Sequence, residues 1–202
     1  MSTNKITLAI LLCISILVFS CSKDNPTKSE KSVYDIQGDT GFIGTVEGTN
    51  AFVAILVFPT ETVAYVCNGD EHILERFWEL IEDPHVFDMT NSDGAQLSAQ
   101  FDGESFEGEV TLQNGSTHSF RAVTSEETDI GLYLVEDDQA EADGVEAGWI
   151  VNANGDIRGA LRINAIFQTT PSLSTISLSI GSATYQVVHV VSNIEGGTGD
   201  DV

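Results

Sequence analysis

Between residues 40 and 192 the chain either alternates apolar and polar positions or runs apolar without a break. Alternation with period two places every second side chain on one face of a strand. An unbroken run with β-branched and aromatic residues predicts a strand buried on both faces. The stretch 51–58, from Ala51 to Phe58 and stopped by Pro59, is of the second kind. It follows a strand at 41–46 and precedes another at 62–67, which ends in Cys67 and the turn pair Asn68-Gly69. Clean alternation appears at Leu97, Ala99 and Phe101 and again from Phe106 through Val110 to Leu112. Further strands are predicted at 117–123, 130–136, 145–151, 157–167, 173–180 and 183–191. Asn114-Gly115 and Asn154-Gly155 predict two-residue hairpins, in which both central residues take positive φ.

One stretch breaks this rhythm. Ile73, Leu74, Phe77, Trp78 and Ile81 fall at helical spacing between Asp70, a capping residue, and Pro84, a stop. They predict an amphipathic helix over 70–84 lying across the sheet, with Trp78 in the core. Gly108, Val110, Asn114 and Gly115 align with Gly148, Ile150, Asn154 and Gly155, as two hairpins of similar geometry would. The expected fold is all-β: an antiparallel barrel, closed or partly open, of about 8–12 strands with one short helix, and a β-sandwich as second choice.

The first forty residues follow other rules. Lys5 precedes an apolar run from Ile6 to Phe19, interrupted by Thr7, Cys13 and Ser15. That is the layout of an export signal, and it is too short for a bilayer core that needs about 20 residues. Val18-Phe19-Ser20-Cys21 resembles the lipobox of bacterial lipoproteins, with Ser20 small and Phe19 bulkier than usual. Cys13 is a poor rival, because Leu12 before it is large. The resemblance implies cleavage before Cys21, a thioether-linked diglyceride on its sulfur and palmitate-type acylation of the freed amine. Several chains anchor stably where one does not, at about 0.8 kcal/mol per buried methylene. Residues 1–20 are then the signal peptide, 21–39 a polar tether, 40–192 a single domain and 193–202 an acidic tail. Lys23-Asp24 faintly resembles the charged signals that send some Bacteroidota lipoproteins to the cell surface. The expected location is the cell envelope, lipid-anchored to the outer membrane as its membrane partner, with the face open.

Charge narrows the partners. The chain carries 8 Lys and Arg against 31 Asp and Glu, a net charge of −23. Loss of Lys5 with the signal makes it −24. Lys23, Lys28 and Lys31 sit in the tether, so the domain keeps only Arg76, Arg121, Arg158 and Arg162. Such a surface repels nucleic acid and anionic lipid, which leaves a protein or a small molecule as the partner. The acidic residues are spread along the chain, a pattern that salt adaptation explains without a specific function. Cys67 is the one cysteine left beside Cys21, so no intrachain disulfide is expected, and it reads as a small buried hydrophobe.

The segments from Gly44 to Ala54, Ala64 to Gly69 and Gly148 to Val151 together resemble β-rich exported domains of hypothetical proteins from actinobacteria and other bacteria. The resemblance spans 42–160; it implies a shared fold and no activity.

Catalytic motifs are scarce. There is no Gly-x-Ser-x-Gly, and His72, His85, His118 and His189 are scattered without metal-ligand spacing. No catalytic residue, resident metal or cofactor is assigned. Asp39-Thr40-Gly41 has the aspartic-protease triplet, but it lacks the preceding apolar strand and fits a lead-in turn better. Asn152, Asn154 and Asp156 alternate like calcium-loop ligands, yet lack a distal bidentate glutamate and fit a hairpin turn. The run 136–143 is a dense acidic loop, a looser calcium candidate. Arg158 and Arg162, four apart on one strand, share a face. Paired carboxylates are their plain explanation, and the sharper one is an anion or carboxylate site using Trp149, Arg121, Arg158 and Arg162. The favoured function is binding without catalysis. A lipocalin-like carrier of an apolar molecule is the alternative, and it requires a hollow barrel. A calcium-binding surface protein and a hydrolase built on Asp39 are further alternatives.

Overall fold

A computed structural model describes residues 40–80, 83–124, 131–174 and 177–190. Cys21, Asp39 and the 193–202 tail, on which the anchor, the protease reading and the tail expectation rest, lie outside them.

The domain is nearly all β, in two antiparallel sheets. The first has eight strands: β1 (Thr40–Val46), β2 (Phe52–Val57), β3 (Glu61–Asn68), β4 (Ile73–Leu80), β5 (Val86–Thr90), β6 (Gln96–Phe101), β7 (Ser105–Thr111) and β8 (Thr117–Thr124). Their order, β4-β3-β2-β1-β8-β7-β6-β5, joins two meanders through the β1–β8 pair. The consecutive strands β4 and β5 thus become the two edges, which approach each other and leave the barrel nearly closed. The second sheet is a half-barrel of β9 (Gly131–Val135), β10 (Val145–Val151), β11 (Ile157–Ile163), β12 (Ile166–Gln168), β13 (Ser177–Ile180) and β14 (Ala183–Val190), ordered β12-β11-β10-β9-β14-β13. The expected barrel with one short helix is therefore present, beside a second curved sheet.

Alternation decides which face each residue serves. In β2, Val53, Ile55 and Val57 point into the barrel, while Phe52, Ala54 and Leu56 pack on the half-barrel. That is why 51–58 reads as unbroken apolar: both faces of the strand are covered. The barrel interior is filled by side chains from all eight strands, among them Phe42, Phe77, Phe87, Phe101 and Phe106. A third cluster, including Tyr133, Trp149, Leu161 and Tyr185, fills the other face of the half-barrel. Bending an eight-stranded sheet this far brings backbones together. A Cβ at Gly44 of β1 would lie 1.8 Å from the Arg121 carbonyl oxygen of β8, so only glycine fits there.

The helix expected at 70–84 is not formed over its described residues 70–80. Gly69–Glu71 is a 3-10 turn capped by the Asn68 side chain, not by Asp70, and β4 follows it. Ile73, Glu75 and Phe77 face the barrel interior, Leu74 faces the half-barrel, and Trp78 is 57% exposed rather than core. Burial of neighbours on opposite faces mimicked helical spacing, and the inward Glu75 hid the strand period. The one α-helix among the described residues, α1 (Asp138–Ala142), forms where an acidic loop was expected. Asp137 caps it through Gln139 N, and Ala140 packs inward. The N–H groups of Gln186 and Gln139 hold the Asp137 carboxyl below its ordinary pKa.

Two hairpins also differ from expectation. The loops after Leu112 and Asn152 hold three residues each, with Leu112 N bonded to Ser116 O and Asn152 N to Asp156 O. Positive φ is confined to Gly115 and Gly155 in these loops. The turn from Asn91 to Ala95 follows the same scheme, with Gly94 at φ 88°. The stretch 157–167 splits into β11 and β12 at Asn164 and Ala165, both at positive φ, and alanine gives no warning of such a turn.

Candidate ligand cleft

The proposed site residues separate into three places. Arg121, on the outer face of β8, donates from Nε to Ser105 Oγ at 3.1 Å and lies 3.8 Å from a Glu107 oxygen. Arg162 is clamped between Glu146 and Asp93, with Nη1 3.2 Å from Asp93 Oδ2 and Nε 3.0 Å from Glu146 Oε2. Burial opposes the Arg162 charge, but these carboxylates outweigh it and hold its pKa above the ordinary value. Arg76, the fourth, pairs with Glu136 at 3.1 Å. Each of these three has a carboxylate partner.

Arg158 differs, and it shares a cleft with Trp149. Its Nε donates to Asn50 O at 3.0 Å and its Nη1 to Ile157 O at 2.9 Å, and the guanidinium sits 5.0 Å from the centre of the Phe52 ring. Among the described residues it pairs with no carboxylate. Carbonyls and a ring face orient a guanidinium without neutralising it, so Nη2 keeps its donors for another group. The cleft has a volume of about 520 Å³ and lies where the β3–β4 turn meets β10 and β11. Asn50, Asn68, Asp70, Thr170 and Leu173 also line it.

Its walls are held tightly. Trp149 is buried, its Nε1 donating to Pro171 O at 3.0 Å, and a Cβ at Gly159 would lie 2.2 Å from Trp149 Cδ1. Cys67 Sγ donates to Arg158 O at 3.3 Å, which ties β11 to the barrel. Burial pushes that thiol well above its ordinary pKa, so it is a structural donor and not a nucleophile. Asn68 is 4% exposed; its Oδ1 accepts from Asp70 N, and its Nδ2 has no partner among the described residues. Thr170 Oγ1 is likewise buried without one. Asn68, Asp70 and Thr170 were not legible as site residues: Asn68-Gly69 reads as a turn and Asp70 as a cap, and nothing in the local pattern brings 170 to them.

The calcium lookalike is committed to its hairpin. Asn152 Oδ1 accepts the N–H groups of Asn154 and Asp156, and Asp156 Oδ2 accepts from Asn152 Nδ2. Asn91 does the same in its own turn, toward Asp93 and Ala95. Among the described residues no group of three His, Cys, Asp or Glu side chains is placed to hold a metal ion. The four histidines stay apart: His72 stacks on Phe167 and His189 on Tyr133, while His85 bonds Asp83 and His118 bonds Glu47 O.

No family model, no curated protein and no solved structure matches the chain. What the cleft holds therefore follows from its own side chains. They offer the Arg158 cation, the Asp70 carboxylate, the amides of Asn50 and Asn68, and a partly apolar wall.

A second polar cluster closes the barrel rim. Glu75 points inward at 4% exposure, where Asn91 Nδ2 donates to it at 2.8 Å and Gln113 N and Nε2 reach it at 3.4 Å. Gln113 continues to Asp93, and Asp93 to Arg162, so the rim is wired to the half-barrel. Desolvation by burial raises the Glu75 pKa above its ordinary 4.5, and the amide donors offset this only in part. The folded state thus holds the Glu75 proton more tightly than the unfolded chain. This contribution to stability is full below pH 4.5 and is lost as pH rises through the raised value. Glu75→Gln lacks it, so in urea titrations the variant should gain on the wild type as pH goes from 4 to 7. A constant gap across that range would contradict the assignment.

Proposed function

We propose that this chain is a lipid-anchored exported protein that acts by binding, and that the Arg158 cleft takes a small carboxylate-bearing ligand. One observation carries the reading: of the four arginines in a strongly acidic domain, Arg158 alone is left without a carboxylate among the described residues, and it lines a cleft. An unpaired cation amid so many acids is an unusual resource, and a ligand carboxylate is the group that uses it. The rings of Phe42, Phe77, Phe87, Phe101 and Phe106 packed inside the barrel favour this over carriage of an apolar molecule there. The anchor rests on the sequence around Cys21.

Two experiments test the proposal. Labelled palmitate should enter the full-length chain in a bacterial host and fail to enter Cys21→Ser. For the site, calorimetric titration of the mature domain with small carboxylates, leucine and N-acetyl-leucine among them, should show saturable binding. Arg158→Gln should weaken it about 10- to 100-fold, as expected for charge-assisted bonds of roughly 1.5–3 kcal/mol. Arg121→Gln should leave it unchanged. Equal binding by wild type and Arg158→Gln would refute the site.

A further inference from the structure

Resting on that reading, we propose that the ligand is a zwitterion of amino-acid to dipeptide size, its carboxylate on Arg158 and Asn68 and its ammonium on Asp70. Arg158, on β11, and Asp70, in the turn between β3 and β4, line the same cleft and do not pair with each other. The Asp70 carboxylate accepts no hydrogen bond among the described residues, whereas its neighbour Glu71 is engaged by Asn50 N and Nδ2. Asn68, although nearly fully buried, keeps Nδ2 unpaired in the cleft lining, so a ligand carboxylate can take one donor from it and others from Arg158 Nη2.

Electrostatics selects the same ligand class. A chain at −23 repels a simple anion, and Asp70 beside the guanidinium adds to that repulsion at short range. A neutral zwitterion meets no net repulsion, yet presents a carboxylate to Arg158 and turns Asp70 into a partner. A simple cation finds Asp70 but meets Arg158 as a like charge. Ile157, Pro171 and Leu173 then offer an apolar wall to a side chain. The volume of about 520 Å³ holds one or two residues, within the usual range for small-ligand sites of roughly 300–1,000 Å³.

The test compares leucine, N-acetyl-leucine and leucinamide, and the matching leucyl-leucine series, by calorimetry on the mature domain. In at least one series the free zwitterion should bind at least tenfold more tightly than either blocked form. Asp70→Asn should reduce the zwitterion to the level of the N-acetyl form and leave the N-acetyl form no weaker. Arg158→Gln should weaken both. If N-acetyl forms match the free zwitterions in both series, the zwitterion inference is overturned and the carboxylate reading stands. If the amides match them, or nothing binds at millimolar concentration, both are overturned.

Discussion

Phe106→Ala should remove about 3–5 kcal/mol of stability, a large share of the roughly 5–15 kcal/mol that holds a domain together. Phe106 is fully buried, and three other rings meet it: Phe42 at 4.8 Å, Phe87 at 5.2 Å and Phe101 at 5.2 Å between centroids. These rings come from β1, β5 and β6, so no single strand can shift to fill the hole. Truncation costs both the transfer of the ring and the cavity it leaves, and the edge-to-face pairing with Phe42 is lost as well. Urea unfolding followed by circular dichroism measures the change. A loss below about 1 kcal/mol would mean a roomy interior, and would return the apolar-carrier reading to contention.

Gly44→Ala should be as damaging or should prevent folding. Its new Cβ would stand 1.8 Å from the Arg121 carbonyl oxygen, and also 2.8 Å from Ala122 Cα. Both obstacles are backbone atoms of the paired strand, so no side-chain rotation relieves them. The β1–β8 pair must separate, and that pair is what joins the two meanders. Gly94→Ala is the control: Gly94 sits at φ 88° with open space around its Cβ, so the cost there is backbone strain alone, roughly 1–2 kcal/mol. Equal, small losses at both positions would show that the sheet is less tightly curled than described.

The strands were legible where burial alternates or is complete. Clean alternation at Leu97, Ala99 and Phe101 located β6, and the unbroken run at 51–58 located β2 with both faces covered. β4 was hidden because a strand sandwiched between two cores loses its period, and because Glu75 occupies an inward position with side-chain partners distant in sequence. The turn at Asn164-Ala165 escaped because nothing in alanine announces positive φ. At the site, the scarcity of cations singled out Arg158, Arg121 and Arg162 together. Only the fold separates them, since pairing with Glu107 and Glu146 is set by strand register, and pairing with Asp93, in the β5–β6 turn, by the packing of the two sheets. Asn68, Asp70 and Thr170 join Arg158 only once the two sheets pack.

The claim that this domain binds through the Arg158 cleft is most directly tested by the light emitted from Trp149. The chain has two tryptophans, and the other, Trp78, is exposed on β4 away from the cleft lining. Trp78→Phe therefore leaves Trp149 as the sole reporter. Titrating leucine into that variant should shift or quench its emission along a saturating curve, and adding Arg158→Gln should flatten the curve while the fold persists. Leucine binding by calorimetry that leaves Trp149 silent, or persists undiminished without Arg158, would place the site elsewhere and contradict the account.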